Sequence, residues 1–124
     1  MQAYRIKHDS SGKSYFEEGT LPEHFDLNAE RFFIMTTIED YQRLQHRAPR
    51  YQYVVTLKGK LRFTTSDGKS FLIEPGILLI AEDTQGEGHS WELTEGTEWH
   101  RIYIVPHPEA EDGFIKNKSF NYFN

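Results

Sequence analysis

The sequence predicts an all-β domain, a sandwich or barrel of short strands with little helix. Three observations carry this expectation. Runs rich in aromatic and β-branched residues recur between residues 31 and 105, each bounded by Gly, Pro or Asp-Gly corners. Nine Phe, seven Tyr and two Trp let few residues fill a compact β core or line a pocket. The chain has 124 residues, room for one domain able to bury a core without staples.

Residues 1–30 are polar and broken by Ser10-Ser11-Gly12, Gly19 and Pro22, so they read as strands and turns joining the main unit. Residues 31–105 carry most of the strand signal. RFFIMTT at 31–37 and YQYVVTL at 51–57 are strand runs, the second closed by a turn at Lys58-Gly59-Lys60. Residues 61–65 follow, and Ser66-Asp67-Gly68 predicts a two-residue hairpin turn before the return at 71–73. Glu74-Pro75-Gly76 makes the next corner, where proline presets φ, and 77–81 is a fully apolar strand. After a polar loop at 82–88, residues 90–93 form a strand, Glu95-Gly96 a turn, and 98–105 a last strand. One rival element is a two-turn helix over Ile38–Gln45, capped by Thr37 and stopped before Pro49. A loop or bent strand is the preferred reading there. Residues 106–124 are a polar tail ending in Phe120, Tyr122 and Phe123, which would cover a sheet edge or pack on a second subunit.

Composition excludes several classes of function. Net charge is −5, and the 14 basic residues are scattered, with KGK at 58–60 their densest cluster. Nucleic-acid binding relies on concentrated positive charge, so no nucleic-acid partner is expected. No apolar run approaches the length of a membrane span, and none resembles a secretory signal, so a cytoplasmic protein with no membrane partner is the expectation. Cysteine is absent, which removes disulfides, thiol nucleophiles and thiolate metal sites. Phosphate-binding and nucleophile-elbow motifs are absent as well.

The segment APRYQYVVTLKGKLRFTTSDGKSFLIEPGILLIAEDTQGEGH resembles the conserved barrel of the cupin superfamily. That resemblance implies a double-stranded β-helix, or jelly-roll barrel, with a pocket inside. Cupins carry a first motif, G-x5-H-x-H-x3/4-E-x6-G, and a second, G-x5-P-x-G-x2-H-x3-N, whose three histidines and glutamate usually hold a divalent metal. With Gly59 as the closing glycine of the first motif, Gln52 stands where the glutamate belongs. His46 then falls on the first histidine and Ala48 on the second. In the second motif Gly76 takes the first glycine, and Glu82, Thr84 and Glu87 occupy the proline, glycine and histidine positions. His89 lies two residues further on. HRAPRYQYVVTLKG, PGILLIAEDTQGEGH and the string Ser11–Glu17 also look like a narrower group of small cupin-like proteins, mostly of unassigned function.

Alternation in a strand puts Arg50, Gln52, Val54 and Thr56 on one face, which the resemblance would turn inward. An inward Arg50 would need a partner and would suit a carboxylate; otherwise it ends a strand in solvent. His89 closes a glycine-bearing loop that Glu82, Asp83 and Thr84 open. This loop reads either as a pocket rim or as a turn capped by Asp83 and Thr84. His100 alternates with Ile102 and Ile104, which places it inward, as a core residue or a ligand. His8, His24 and His107 read as surface residues.

The expected function is a small-molecule-binding cupin, isomerase-, epimerase- or cyclase-like. His89 and His100 would be its acid–base catalysts, and Arg50, Gln52, Val54, Glu82 and Asp83 its ligand-binding residues. The alternatives are a metal-dependent, dioxygenase-like enzyme holding Zn, Fe, Mn or Ni on His46, Gln52, His89 and His100, or a non-catalytic ligand sensor or dimeric structural module. A homodimer is implied by the resemblance.

Overall fold

In the computed structural model, which describes residues 1–118, the chain is nearly all β, one curled eight-stranded sheet. The strands are β1 (Gln2–His8), β2 (Ser14–Thr20), β3 (Ala29–Met35), β4 (Gln52–Thr65), β5 (Ser70–Ile73), β6 (Leu78–Ala81), β7 (His89–Pro106) and β8 (Ile115–Lys116). Their order is β3-β7-β4-β6-β1-β2-β8, with β5 paired to β4. All pairings are antiparallel except β1 with β6. Among the described residues no helix is long and apolar enough to cross a membrane. The tail aromatics Phe120, Tyr122 and Phe123 lie outside the described residues.

Two expected turns are instead irregularities inside long strands. β4 runs through Lys58-Gly59-Lys60 and β7 through Glu95-Gly96. Where they pair, Lys58 faces His100 but Lys60 faces Glu95, so β7 accommodates three extra residues across the bulge. Gly59 has φ +119°, and a Cβ there would press on the Glu98 carbonyl. Both conditions require glycine. The bulge also resets the pleat. Before it the even residues of β4, Gln52, Val54 and Thr56, are buried on the concave face. After it the odd ones, Leu61, Phe63 and Thr65, take their place. One strand thus keeps a single face inward over 14 residues despite the change of phase.

Local turn chemistry follows composition. Ile77 N–H donates to the Glu74 carbonyl across Pro75-Gly76, with Gly76 at φ +96°, a type II turn. The 65–69 hairpin has a three-residue loop, one longer than expected, with Gly68 at φ +89°. The 38–45 segment forms only one 3-10 turn, Asp40–Arg43. Its reciprocal cap joins Glu39 and Gln42, and Thr37 plays no part. No residue of that turn is buried, so an amphipathic helix has no core to rest on here.

The sheet is covered on both faces. The concave face carries Ile6, Val54, Phe63, Leu79, Trp91 and Trp99 among others. On the outer face Ala3, Tyr53, Leu78 and Ile80 are packed under Leu21, Leu27 and Phe114. This two-sided burial explains why β6 reads as an unbroken apolar run. Further along the outer face, Phe32 and Ile34 of β3 remain 68% and 64% exposed.

Candidate functional site

The concave face encloses a cavity of about 360 Å³. Its apolar walls come from Phe33 of β3, Val54 and Phe63 of β4, Leu79 of β6, and Trp91, Trp99 and Tyr103 of β7. Its polar groups are His46, Arg50, Gln52 and His89, and the exposed Tyr41 and Arg47 stand at the rim. A mostly apolar cavity with a few convergent polar groups is the usual form of a small-molecule site.

The buried centre of this site is a pair. Asp83 is fully buried, and its Oδ2 lies 2.6 Å from Nδ1 of His89, itself 5% exposed. A carboxylate with this little water must be paired, so Nδ1 carries the proton and donates to Asp83. Nε2 of His89, with no hydrogen-bond partner among the described residues, is then the free basic nitrogen. Burial here makes the contact count. The exposed Arg62–Glu92 pair, at 2.9 Å, contributes little by comparison.

His46 is brought alongside by backbone rather than side-chain contacts. It exchanges two 2.8 Å hydrogen bonds with His89, N–H to carbonyl in both directions, and Ala48 N–H donates to the Asp83 carbonyl. These bonds pin the 44–49 loop over the start of β7. The two imidazole centroids are 4.9 Å apart. His46 Nδ1 sits 2.8 Å from the Leu44 carbonyl and so donates to it, which leaves Nε2 bare here too. Burial, joined by the neighbouring His89 and opposed by the Leu44 bond, lowers the His46 pKa and favours the neutral ring.

Arg50 and Gln52 form the opposite polar corner. The Arg50 Nη1 donates to Gln52 Oε1 at 2.8 Å, and the guanidinium lies over the Phe33 ring. Because arginine only donates, it fixes the amide with its oxygen toward Arg50, which leaves the NH2 group for the cavity. Val54, 2% exposed, supplies apolar wall beside them.

Two expected site residues lie elsewhere. His100 does not point inward. It is partly exposed and bonded to Glu98 at 2.8 Å, while Trp99, Arg101 and Tyr103 take the inward positions on β7. Ile102 and Ile104 share the outer face with His100 and are only partly buried, so the apolar pair that pointed His100 inward belongs to the other side of the sheet. Glu82 also faces outward, one residue before Asp83, and joins Asp112, Arg5 and Tyr51 instead of the cavity. Burial first, then hydrogen bonding to and repulsion by Asp112, push its carboxyl from 4.5 up to about 7. Asp112 moves the other way: although burial opposes it, bonds from Glu82 and Arg5 hold it low.

This outer pair makes stability depend on pH. The folded chain keeps a proton on Glu82 that the unfolded chain releases as pH rises from about 4.5 to 7, so the Glu82 contribution is complete below that window and lost above it. Glu82→Gln keeps a donor toward Asp112 without the charge. Its melting temperature should exceed wild type at pH 8 by an amount equivalent to on the order of 1 kcal/mol, and the gain should vanish near pH 4.5.

The cavity offers a divalent ion two imidazole nitrogens and little more. Gln52 oxygen is occupied by a guanidinium, His100 is outside, and no lining residue is Asp or Glu. Among the described residues no group of three or more His, Asp or Glu is placed to hold a metal. The donor set therefore does not fit the four-ligand site, and an adjacent cation on Gln52 works against one. The residues that sequence reasoning missed are Phe33, Phe63, Trp91, Trp99, Arg101 and Tyr103. For the four on β7 the signal was the odd-numbered alternation Trp91, Leu93, Trp99, Arg101, Tyr103, which continues in phase from His89. No protein-family model matches the chain, and no curated protein is found similar to it.

Proposed function

We propose that the cavity binds a small organic molecule and that His89, oriented by Asp83, exchanges a proton with it, as an isomerase, epimerase or cyclase does. The observation that carries this reading is the 2.6 Å contact between a fully buried carboxylate and a cavity-lining imidazole. A general base needs an unprotonated nitrogen at the reacting atom, and a carboxylate on its far side both sets the tautomer and stabilises the imidazolium that forms. His46, neutral and 4.9 Å away ring to ring, is a second base, so either imidazole can take a proton from the ligand at its bare Nε2 and, once protonated, return it from the same atom. Arg50 and Gln52 orient the polar end of the ligand, and the aromatic wall holds its body. The cupin reading rests on the motif spacing around Gly59 and His89 and is compatible with a curled, all-β sheet.

The test is a thermal-shift screen across sugars, keto acids and aromatic acids, since a ligand of the folded state raises the melting temperature. Hits are then incubated with protein in deuterated water. Ligand carbon–hydrogen exchange that wild type catalyses and His89→Gln does not is the expected result. Stabilisation without exchange would make the chain a sensor. Near-stoichiometric Zn, Fe, Mn or Ni in protein purified without chelators, lost in His89→Ala, would overturn the metal-free mechanism.

A further inference from the structure

We infer that the ligand of this cavity is an aromatic monocarboxylate, and that Arg101, one side-chain layer behind the cavity wall, is the residue that selects its charge. This rests on the reading of the cavity as a small-molecule site and names the class of molecule it takes.

Arg101 is fully buried on the concave face. Its guanidinium stacks 4.4 Å from the Trp99 ring and 5.5 Å from that of Tyr103. It donates to the Trp99 carbonyl at 3.0 Å and the Tyr103 hydroxyl at 3.1 Å, while Nη2 is buried without a partner. Among the described residues it forms no ion pair with a carboxylate. Arginine cannot shed its proton to escape this, as a lysine or histidine would. A buried cation with no counter-charge is costly, offset here by two hydrogen bonds and two aromatic faces, so an anion bound nearby would be stabilised.

The cavity is built to supply it. Trp99 and Tyr103, the two rings Arg101 touches, both line the cavity, so a bound anion would lie one aromatic layer from the guanidinium. Arg101 is fully buried, so its charge is screened less than a surface one would be. The wall itself carries donors, the Arg50 guanidinium and the Gln52 NH2, and no acidic side chain. Asp83, behind the wall, keeps its charge while His89 is neutral, but Arg50 and Arg101 outnumber it and leave the surroundings net positive. A flat carboxylate matches the donors of Arg50 and Gln52, and Phe33, Phe63 and the two tryptophans give the cavity an aromatic lining for a ring.

The experiment is isothermal titration calorimetry of the full chain with two shape-matched pairs, benzoate against benzamide and 2-naphthoate against 2-naphthamide. Each is titrated into wild type, Arg101→Met and Arg101→Lys. Wild type should bind at least one acid about tenfold or more tightly than its amide. Arg101→Met should lower that ratio about threefold or more, Arg50 accounting for what remains, while keeping the amide affinity, and Arg101→Lys should retain most of the preference. A merely structural role would weaken acid and amide alike. Equal binding of acid and amide by wild type would overturn the charge inference and leave the small-molecule reading standing. Where the methionine variant does not fold, Arg101→Gln takes its place, and an acid-to-amide ratio unchanged from wild type would overturn the role of Arg101 and hand the selection to Arg50. Failure of all four compounds to bind would overturn the assigned ligand class, and the small-molecule reading falls with it only if the wider screen is also empty.

Discussion

Asp83→Asn is expected to leave the chain folded and to slow proton transfer at His89 by about two to four orders of magnitude. Asparagine has the size of aspartate, and its oxygen still accepts from His89 Nδ1, so stability should change by no more than about 1 kcal/mol. What it lacks is charge. An imidazolium formed at His89 would no longer face a buried anion 2.6 Å away, and the base becomes weaker. The amide can also turn its NH2 toward Nδ1, which forces the proton onto Nε2 and removes the basic nitrogen from the cavity. Solvent-hydrogen exchange into a bound ligand measures the rate, and nitrogen-15 NMR of the imidazole reports the tautomer. An unchanged rate with the tautomer intact would hand the base to His46.

Gly88→Ala is the second large effect, and it acts on the backbone. Gly88 sits at φ +76°, where a side chain costs about 1–2 kcal/mol on conformation alone. A Cβ there would also overlap the carbonyl group of His46 and the Arg47 amide. The paired hydrogen bonds between His46 and His89 hold those atoms in place, so the chain must either open that bridge or shift the glycine loop. The expected outcome is a loss of at least about 2 kcal/mol in urea denaturation, with His46 displaced from the cavity. Gly68→Ala is the control. Gly68 also has positive φ, at +89°, but nothing lies within 4 Å of the position its Cβ would take. It should lose only the conformational part. Equal losses at the two glycines would mean that the close approach to His46 contributes nothing.

Much of the fold was legible because local rules act alone where they were used. Pro75-Gly76 makes its turn from its own φ preferences, and the apolar run at 78–81 is a strand whichever face it buries. Alternation placed Arg50, Gln52 and Val54 on one face, and all three line the cavity. His46 and His89 come together there, while Asp83 proves to be the partner of His89 rather than a turn cap. Legibility failed where phase had to be carried across a glycine. Reading Glu95-Gly96 as a turn cut β7 in two, and the second half was then phased on its aliphatic residues, which put His100 inside and Arg101 outside. A buried arginine between two aromatic rings breaks the rule that apolar residues mark the inner face. Glu82 failed for a related reason. Its neighbour Asp83 turns inward to His89, and adjacent residues on an extended chain face opposite ways.

By itself, then, the sequence determined the all-β class, the run of corners, and the residue types that would meet in a pocket, because these follow from φ preferences and a two-residue period. Tertiary structure alone decided which face of β7 is the inside, that Lys58-Gly59-Lys60 bends a strand instead of ending it, and that two imidazoles line one cavity with a buried carboxylate and a buried guanidinium behind its wall. Those facts depend on register between strands distant in sequence. Pairing Lys58 with His100 and Lys60 with Glu95 sets it, through a bulge that no local preference specifies.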